Sequence, residues 1–175
     1  MNSVLGSFFI LLALLMAAPA LAQEPIGCDK FKWPVDRERA PLASPSQMAS
    51  GGTVSQPLSG AVLVTLVPIA DANLPVAPSR APKSSNTYAG FVHVPAIRQA
   101  GTYRITLSHG ACIDVVQDGH ELKSITASGV SGCDGIAKSV KFEPATPFVI
   151  ELSGTRKKLL NTESVVLYLP ASLKV

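Results

Sequence analysis

The stretch at 101–123, GTYRITLSHGACIDVVQDGHELK, constrains the fold more than any other part of the chain. Tyr103, Ile105 and Leu107 alternate with Arg104, Thr106 and Ser108. That is the two-residue period of a strand with one buried face. His109-Gly110 interrupts the run, and Cys112-Ile113-Asp114-Val115-Val116 begins a second strand. Asp118-Gly119 follows, the dipeptide type that most readily takes the positive φ angles of a two-residue hairpin turn. The stretch therefore predicts three antiparallel strands joined by two tight turns, at the centre of a sheet. It holds no catalytic constellation.

Strand character recurs along the chain. AVLVTLV at 61–67 is an uninterrupted, largely β-branched run closed by Pro68, the pattern of a central strand or one buried on both faces. Residues 88–94 resume strand character and Pro95 ends it. Further strands are expected at 122–127, at 137–143 (Val140 and Phe142 against Ser139 and Lys141), at 148–152 (FVIEL) and at 164–169 (SVVLYL, stopped by Pro170). That gives about eight strands, at the spacing of a sandwich or barrel. The only helical candidate is 35–40, with Pro34 in the first helical position and Pro41 expected to stop it. Phe31 and Trp33 beside it are expected to form a clasp over one edge of the core.

Residues 44–60 are Ser/Gly/Pro-rich and predict a loop. Residues 69–87, with Pro75, Pro78 and Pro82, predict a long irregular connection, which either binds a partner or lies as a strap over a sheet. Arg80, Lys83 and Tyr88 are its candidate binding residues. Strands punctuated by Gly and Pro, without alternating helices, predict an all-β protein. The expected form is an antiparallel, jelly-roll-like β-sandwich with a short helical turn near the mature N-terminus. The expected divisions are an export signal at 1–22, a clasp and loop at 23–57 and the sandwich at 58–175.

The export signal rests on an uncharged apolar run from Val4 to Met16, then Ala20-Leu21-Ala22 before the polar Gln23-Glu24. Cleavage is expected after Ala22, delivering the chain to the periplasm or beyond. A membrane-spanning helix needs about 20 apolar residues, so this run does not predict an integral membrane protein. A lipoprotein would carry its lipid on Cys28, but Pro25-Ile26-Gly27 lies outside the apolar run, which ranks that reading second. Net charge is only +3, and Arg156-Lys157-Lys158 is the sole basic cluster, too small a face for nucleic acid.

Three cysteines, Cys28, Cys112 and Cys133, allow three pairings in an oxidising compartment. Cys28–Cys133 would close about 105 residues, worth up to roughly 4–5 kcal/mol in the loop-entropy model. Cys112–Cys133 would close about 20 residues, worth about 3 kcal/mol at best. Cys28 and Cys133 lie in polar, Gly-containing, turn-like contexts, whereas Cys112 begins a strand, where a buried thiol is common; this favours the first pair.

Gly101-Thr102-Tyr103-Arg104-Ile105-Thr106-Leu107 followed by Ile113-Asp114-Val115 resembles a strand pair of bacterial pre-peptidase C-terminal domains, small secreted jelly-roll sandwiches that accompany enzymes or bind surfaces. A wider likeness links Cys28-Asp29-Lys30-Phe31-Lys32-Trp33-Pro34, Tyr88-Ala89-Gly90-Phe91, GTYRITLS, IDVVQDG, Cys133 and KSVKFE. In these motifs the chain resembles a family of small exported bacterial proteins of uncharacterised function. That resemblance implies that Cys28 and Cys133 are the shared pair and Cys112 the odd thiol. Some members of that family are called homogentisate 1,2-dioxygenases, which implies a non-haem iron held by two His and a carboxylate.

The residues do not assemble that chemistry. His109 and His120 sit at turns flanking one strand, about 17–20 Å apart, too far to share an ion, and His93 lies on another strand. No G-x-S-x-G elbow occurs. Ser108 and His109 are adjacent, and adjacent strand residues point to opposite faces, so a Ser–His hydrogen bond is not expected. Asp114 is expected to be an exposed strand carboxylate and Asp118 a turn former. No catalytic residue, cofactor or metal ligand is assigned. The expected function is a non-catalytic binding or accessory module with an envelope protein or polysaccharide as partner. A small metal-dependent enzyme is the alternative.

Overall fold

The computed structural model describes residues 24–54, 60–82, 84, 86–95, 101–145, 147–156 and 164–169. The expected export segment at 1–22, Lys83 and the Lys157-Lys158 part of the basic cluster lie outside the described residues.

After a single 3-10 turn (Cys28–Lys30) come α1 (Asp36–Ala43), β1 (Ser46–Ala49), β2 (Gly52–Thr53), β3 (Ala61–Thr65) and β4 (Val67–Pro68). A second 3-10 turn (Ile69–Asp71) precedes β5 (Thr87–Val94). Then follow β6 (Tyr103–Leu107), β7 (Cys112–Gln117), β8 (His120–Leu122), β9 (Thr126–Gly129), β10 (Lys138–Phe142), β11 (Phe148–Arg156) and β12 (Ser164–Tyr168). The first sheet runs β1-β3-β12-β6-β10-β9, and the second runs β2-β5-β11-β7-β8 with β4 also paired to β5.

Without the short additions β1, β2, β4 and β9, the two sheets read β3-β12-β6-β10 and β5-β11-β7-β8. Every neighbour in those two quartets is antiparallel. In chain order these eight strands change sheet at every step except from β7 to β8, the double Greek-key arrangement of a jelly roll. The all-β sandwich expected from the strand runs is the fold observed.

The inner faces are the alternating apolar residues. Val62, Val64, Ile105, Leu107, Val140, Phe142 and Leu167 of the first sheet meet Val92, Val94, Ile113, Val115, Ile150 and Leu152 of the second. Burial on alternate residues is what fixes register, because a one-residue slip would turn each strand inside out. The chain crosses between sheets at tight corners. One is Leu66, between β3 and β4, where Gly90 lies so close that an added Cβ would stand 2.9 Å from Leu66 Cδ2. Another is 108–111, between β6 and β7.

That second corner corrects an expectation. Residues 103–117 are not one hairpin-linked sheet; β6 and β7 lie in opposite sheets and face each other through the core. The second turn is as expected. Asp118 (φ 52°) and Gly119 (φ 76°) join β7 to β8, with Gln117 opposite His120. The strand expected at 122–127 is two pieces, β8 and β9, in different sheets. The polar residues Lys123 and Ser124 provide no inward apolar group to keep it in one sheet.

The loop expected at 44–60 contains β1 and β2, which pair in parallel with β3 and β5. The sheets are therefore mixed rather than wholly antiparallel. These edge strands are held by backbone pairing, and their mostly exposed side chains carry no alternation that a sequence pattern could report. α1 begins at Asp36 with Val35 as its N-cap, so Pro34 lies before the helix, and α1 continues through Pro41. A proline so near the C-terminal end removes one intrahelical bond, and burial of Leu42 against the sheet outweighs it.

The segment carrying α1 covers the outer face of the first sheet, rather than an edge of the core. Phe31, Val35 and Leu42 pack there with Ala61, Val166 and Ile136. The Cys28–Cys133 disulfide fastens this clasp across 105 positions. Ile26 bridges Ser131 beside it, and Arg39 Nη2 donates to Cys28 Sγ at 2.9 Å. Trp33 Nε1 donates to Ser139 Oγ at 3.2 Å, while the Lys141 ammonium sits 4.7 Å over its ring. Beneath the clasp, Arg104 of β6 and Glu38 of α1 form a buried ion pair.

Candidate functional site

The outer face of the second sheet gathers the chemistry that the core does not use. Cys112, Asp114 and Val116 of β7 lie opposite Ser153, Glu151 and Val149 of β11 on that face. Phe91 and His93 of β5 continue the two rows beyond Glu151 and Val149. These side chains point outward because their neighbours Ile113, Val115, Ile150 and Leu152 fill the core.

Residues 72–82 cross this face as a strap, the second of the two roles open to the Pro-rich connection. Val76 N–H donates to Glu151 Oε1 at 2.9 Å. Ser79 donates twice to Asp114, from its N–H to Oδ2 at 3.2 Å and from its hydroxyl to Oδ1 at 2.6 Å. Asp114 and Glu151 are consequently only 6% and 1% exposed. This corrects the expectation that Asp114 is an exposed strand carboxylate; the cover comes from residues distant in sequence. Burial pushes the Glu151 carboxyl above its ordinary value, the Val76 hydrogen bond acts against that, and the nearby Asp114 and Glu121 charges add to it.

Beside the strap, the same face opens into a groove of about 320 Å³ lined by Pro75, His93, Val116, Asp118, Pro147 and Val149, among others. Its floor is aliphatic and its rim is proline and turn backbone. The His93 ring stands edge-on to Phe91, centroids 5.4 Å apart. Of the candidate binding residues, Arg80 is exposed on the strap and Tyr88 lies half-buried on β5. Neither lines the groove, and Lys83 is outside the described residues. Pro75 is the strap residue that does line it.

The histidines stand apart. His93 is on the outer face of β5, His109 in the corner after β6, and His120 at the start of β8, where Nδ1 lies 2.8 Å from the Asp118 carbonyl oxygen. Among the described residues no three His, Cys, Asp or Glu side chains gather as a metal-holding group. Ser108 Oγ and His109 Nδ1 do form a hydrogen bond, at 2.7 Å, contrary to expectation. Both residues lie in a bend beyond the end of β6, so strand alternation does not separate them. Ser108 Oγ also accepts the Val166 N–H at 3.1 Å, which ties the corner to β12. Cys112 is a free, half-buried thiol.

Sequence reasoning missed the Asp114–Glu151 pair and the groove. The available signal was the apolar residue next but one to each acid, Val116 and Val149, on what would otherwise be a solvated face. Apolar residues on both faces of a strand imply a cover on each. No protein-family model, curated protein or solved structure matches the chain. Among the described residues no helix is long and apolar enough to cross a membrane.

Proposed function

We propose that this chain is a non-catalytic binding or accessory module, exported by cleavage after Ala22, whose outer second sheet receives a segment of an envelope protein. The groove beside the strap carries this reading: an open, largely aliphatic trough framed by Pro75, Pro147 and the Asp118-Gly119 turn. A sugar-binding platform uses exposed aromatic rings. Here Phe148 of the lining and Tyr103 are buried, Trp33 and Tyr168 lie on the other sheet, and Tyr88 and Phe91 are half-buried on β5 outside the groove lining. An extended aliphatic peptide matches the trough better than a polysaccharide does. The Cys28–Cys133 disulfide accords with an oxidising compartment. The resemblance to small exported bacterial proteins, and to jelly-roll domains that accompany enzymes, supports the same reading.

The test places a photo-crosslinking residue at Val149 in the groove and, as control, at exposed Ala127 on the first sheet, in chains exported by intact cells. The expected outcome is one envelope-protein adduct from position 149 and none from 127. Equal capture at both positions, or none at 149, would refute a groove-bound partner. Glycan binding abolished by Val149→Arg would transfer the groove to a polysaccharide. An intact mass beginning at Gln23 is expected for the exported chain, and an uncleaved or lipidated mass would overturn that part.

A further inference from the structure

Glu151 and Asp114 stand directly opposite each other on antiparallel neighbours, both on the outer face. Like charges in that position repel, and burial removes the water that would screen them. No ion pair among the described residues involves either carboxylate. Three of their four oxygens accept hydrogen bonds, and all three donors belong to the strap. The fourth, Glu151 Oε2, is buried with no partner among the described residues. A proton there would remove one of two facing charges and turn the orphan acceptor into a donor.

We propose that Glu151 holds a proton at Oε2 when the strap is closed, and that losing it as pH rises releases residues 72–82 from the second sheet. The proposal is independent of what fills the groove, although release would move Pro75 out of the groove wall.

The surrounding charges favour the protonated form. Glu121 on β8 adds a third negative charge near Glu151. From β5 the direct neighbour is the uncharged Phe91, with His93 two residues further along and exposed. The strap brings Arg80, and Asp71 lies in the turn before it; both are exposed. Lys138 of β10 lies on the Asp114 side, where Nζ donates to the Ala111 carbonyl at 3.0 Å.

The sign follows from linkage. The ordinary value of Glu151 is 4.5; burial in the closed strap raises it, and opening would reverse that burial. Closure therefore takes up a proton. It is fully favoured below the ordinary value and weakens about tenfold per pH unit above it, until the raised closed-state value is passed.

Amide hydrogen exchange of the full chain, disulfide intact and rates corrected for intrinsic pH dependence, reads this directly. Protection of the Val76 and Ser79 amides is expected to fall as pH rises from 4.5 through the raised Glu151 value, with ladder amides of β7 and β11 unchanged. In Glu151→Gln the amide keeps an acceptor for Val76 and carries no charge at any pH, so strap protection should stay high and flat. Flat protection in the unmodified chain, or an unaltered slope in Glu151→Gln, overturns the proposal. Should that variant not fold, the Glu151 carboxyl is titrated by NMR in the unmodified chain. A midpoint above 4.5 that coincides with loss of strap protection supports the latch, and a midpoint at or below it refutes the latch.

Discussion

The Arg104–Glu38 pair under the clasp offers a sharp test of how the first sheet is covered. The two side chains are 8% and 1% exposed. Arg104 Nη1 also donates to the Pro34 carbonyl at 3.2 Å, but Arg104 Nε and Glu38 Oε2 lack partners among the described residues. The pair is thus dry and only partly satisfied. Removing one partner strands a charge in the interior, which costs about 3–5 kcal/mol. Replacing both with apolar groups of similar size removes the desolvation penalty along with the attraction and is often neutral or stabilising by about 1–4 kcal/mol.

Arg104→Met and Glu38→Leu are therefore each expected to lose about 3–5 kcal/mol. For a chain of this length that is roughly 6–20 °C in melting temperature. The double variant should recover to the unmodified value or exceed it. Urea titration followed by two probes separates the steps. Trp33 is the single tryptophan and belongs to the clasp, so its fluorescence follows clasp docking, while far-UV circular dichroism follows the sheets. In the single variants the Trp33 transition should move to lower urea ahead of the sheet transition. Losses below about 1 kcal/mol for both single variants, or a double variant that loses their sum, would refute the buried, coupled pair.

Two further outcomes are expected. Cys28→Ala with Cys133→Ala opens a loop of 105 positions and should lower stability by about 2–5 kcal/mol in urea melts, with Trp33 fluorescence responding first; an unchanged midpoint would mean the clasp docks without its crosslink. Gly119→Ala meets no atom within 4 Å, so its cost is the backbone at φ 76° alone, about 1–2 kcal/mol by thermal melt; no loss would show that the turn relaxes to another type.

Features set by short-range chemistry were legible in the sequence. The β7–β8 hairpin follows from Asp118-Gly119, and the inward sets of β6, β7 and β10 follow from simple alternation. The Cys28–Cys133 pair could be favoured from its turn contexts. What failed was non-local. Apolar alternation in β6 and β7 is the same whether the strands lie side by side or face each other across a core, and only closure of the sandwich decides. β1 and β2 are stabilised by edge pairing, to which their side chains add little. Asp114 looked solvated because the strap that buries it arrives from residues 76–79, about 35 positions upstream.

The same physics separates the two covers. Each outer face buries an acidic side chain beneath a non-strand segment. Over the first sheet the acid is Glu38, its counter-charge is Arg104, and a disulfide holds the clasp. Over the second sheet the acid is Glu151, its facing group is another carboxylate, and the bonds from the strap to the pair are three hydrogen bonds. Opening the clasp would expose an apolar cluster while the disulfide keeps the segment tethered, whereas opening the strap would return two facing carboxyl groups to water. Local opening follows the lowest free-energy step. The second sheet, whose groove shares Pro75 with the strap, is therefore the face this jelly roll can uncover while the rest of its structure stays intact.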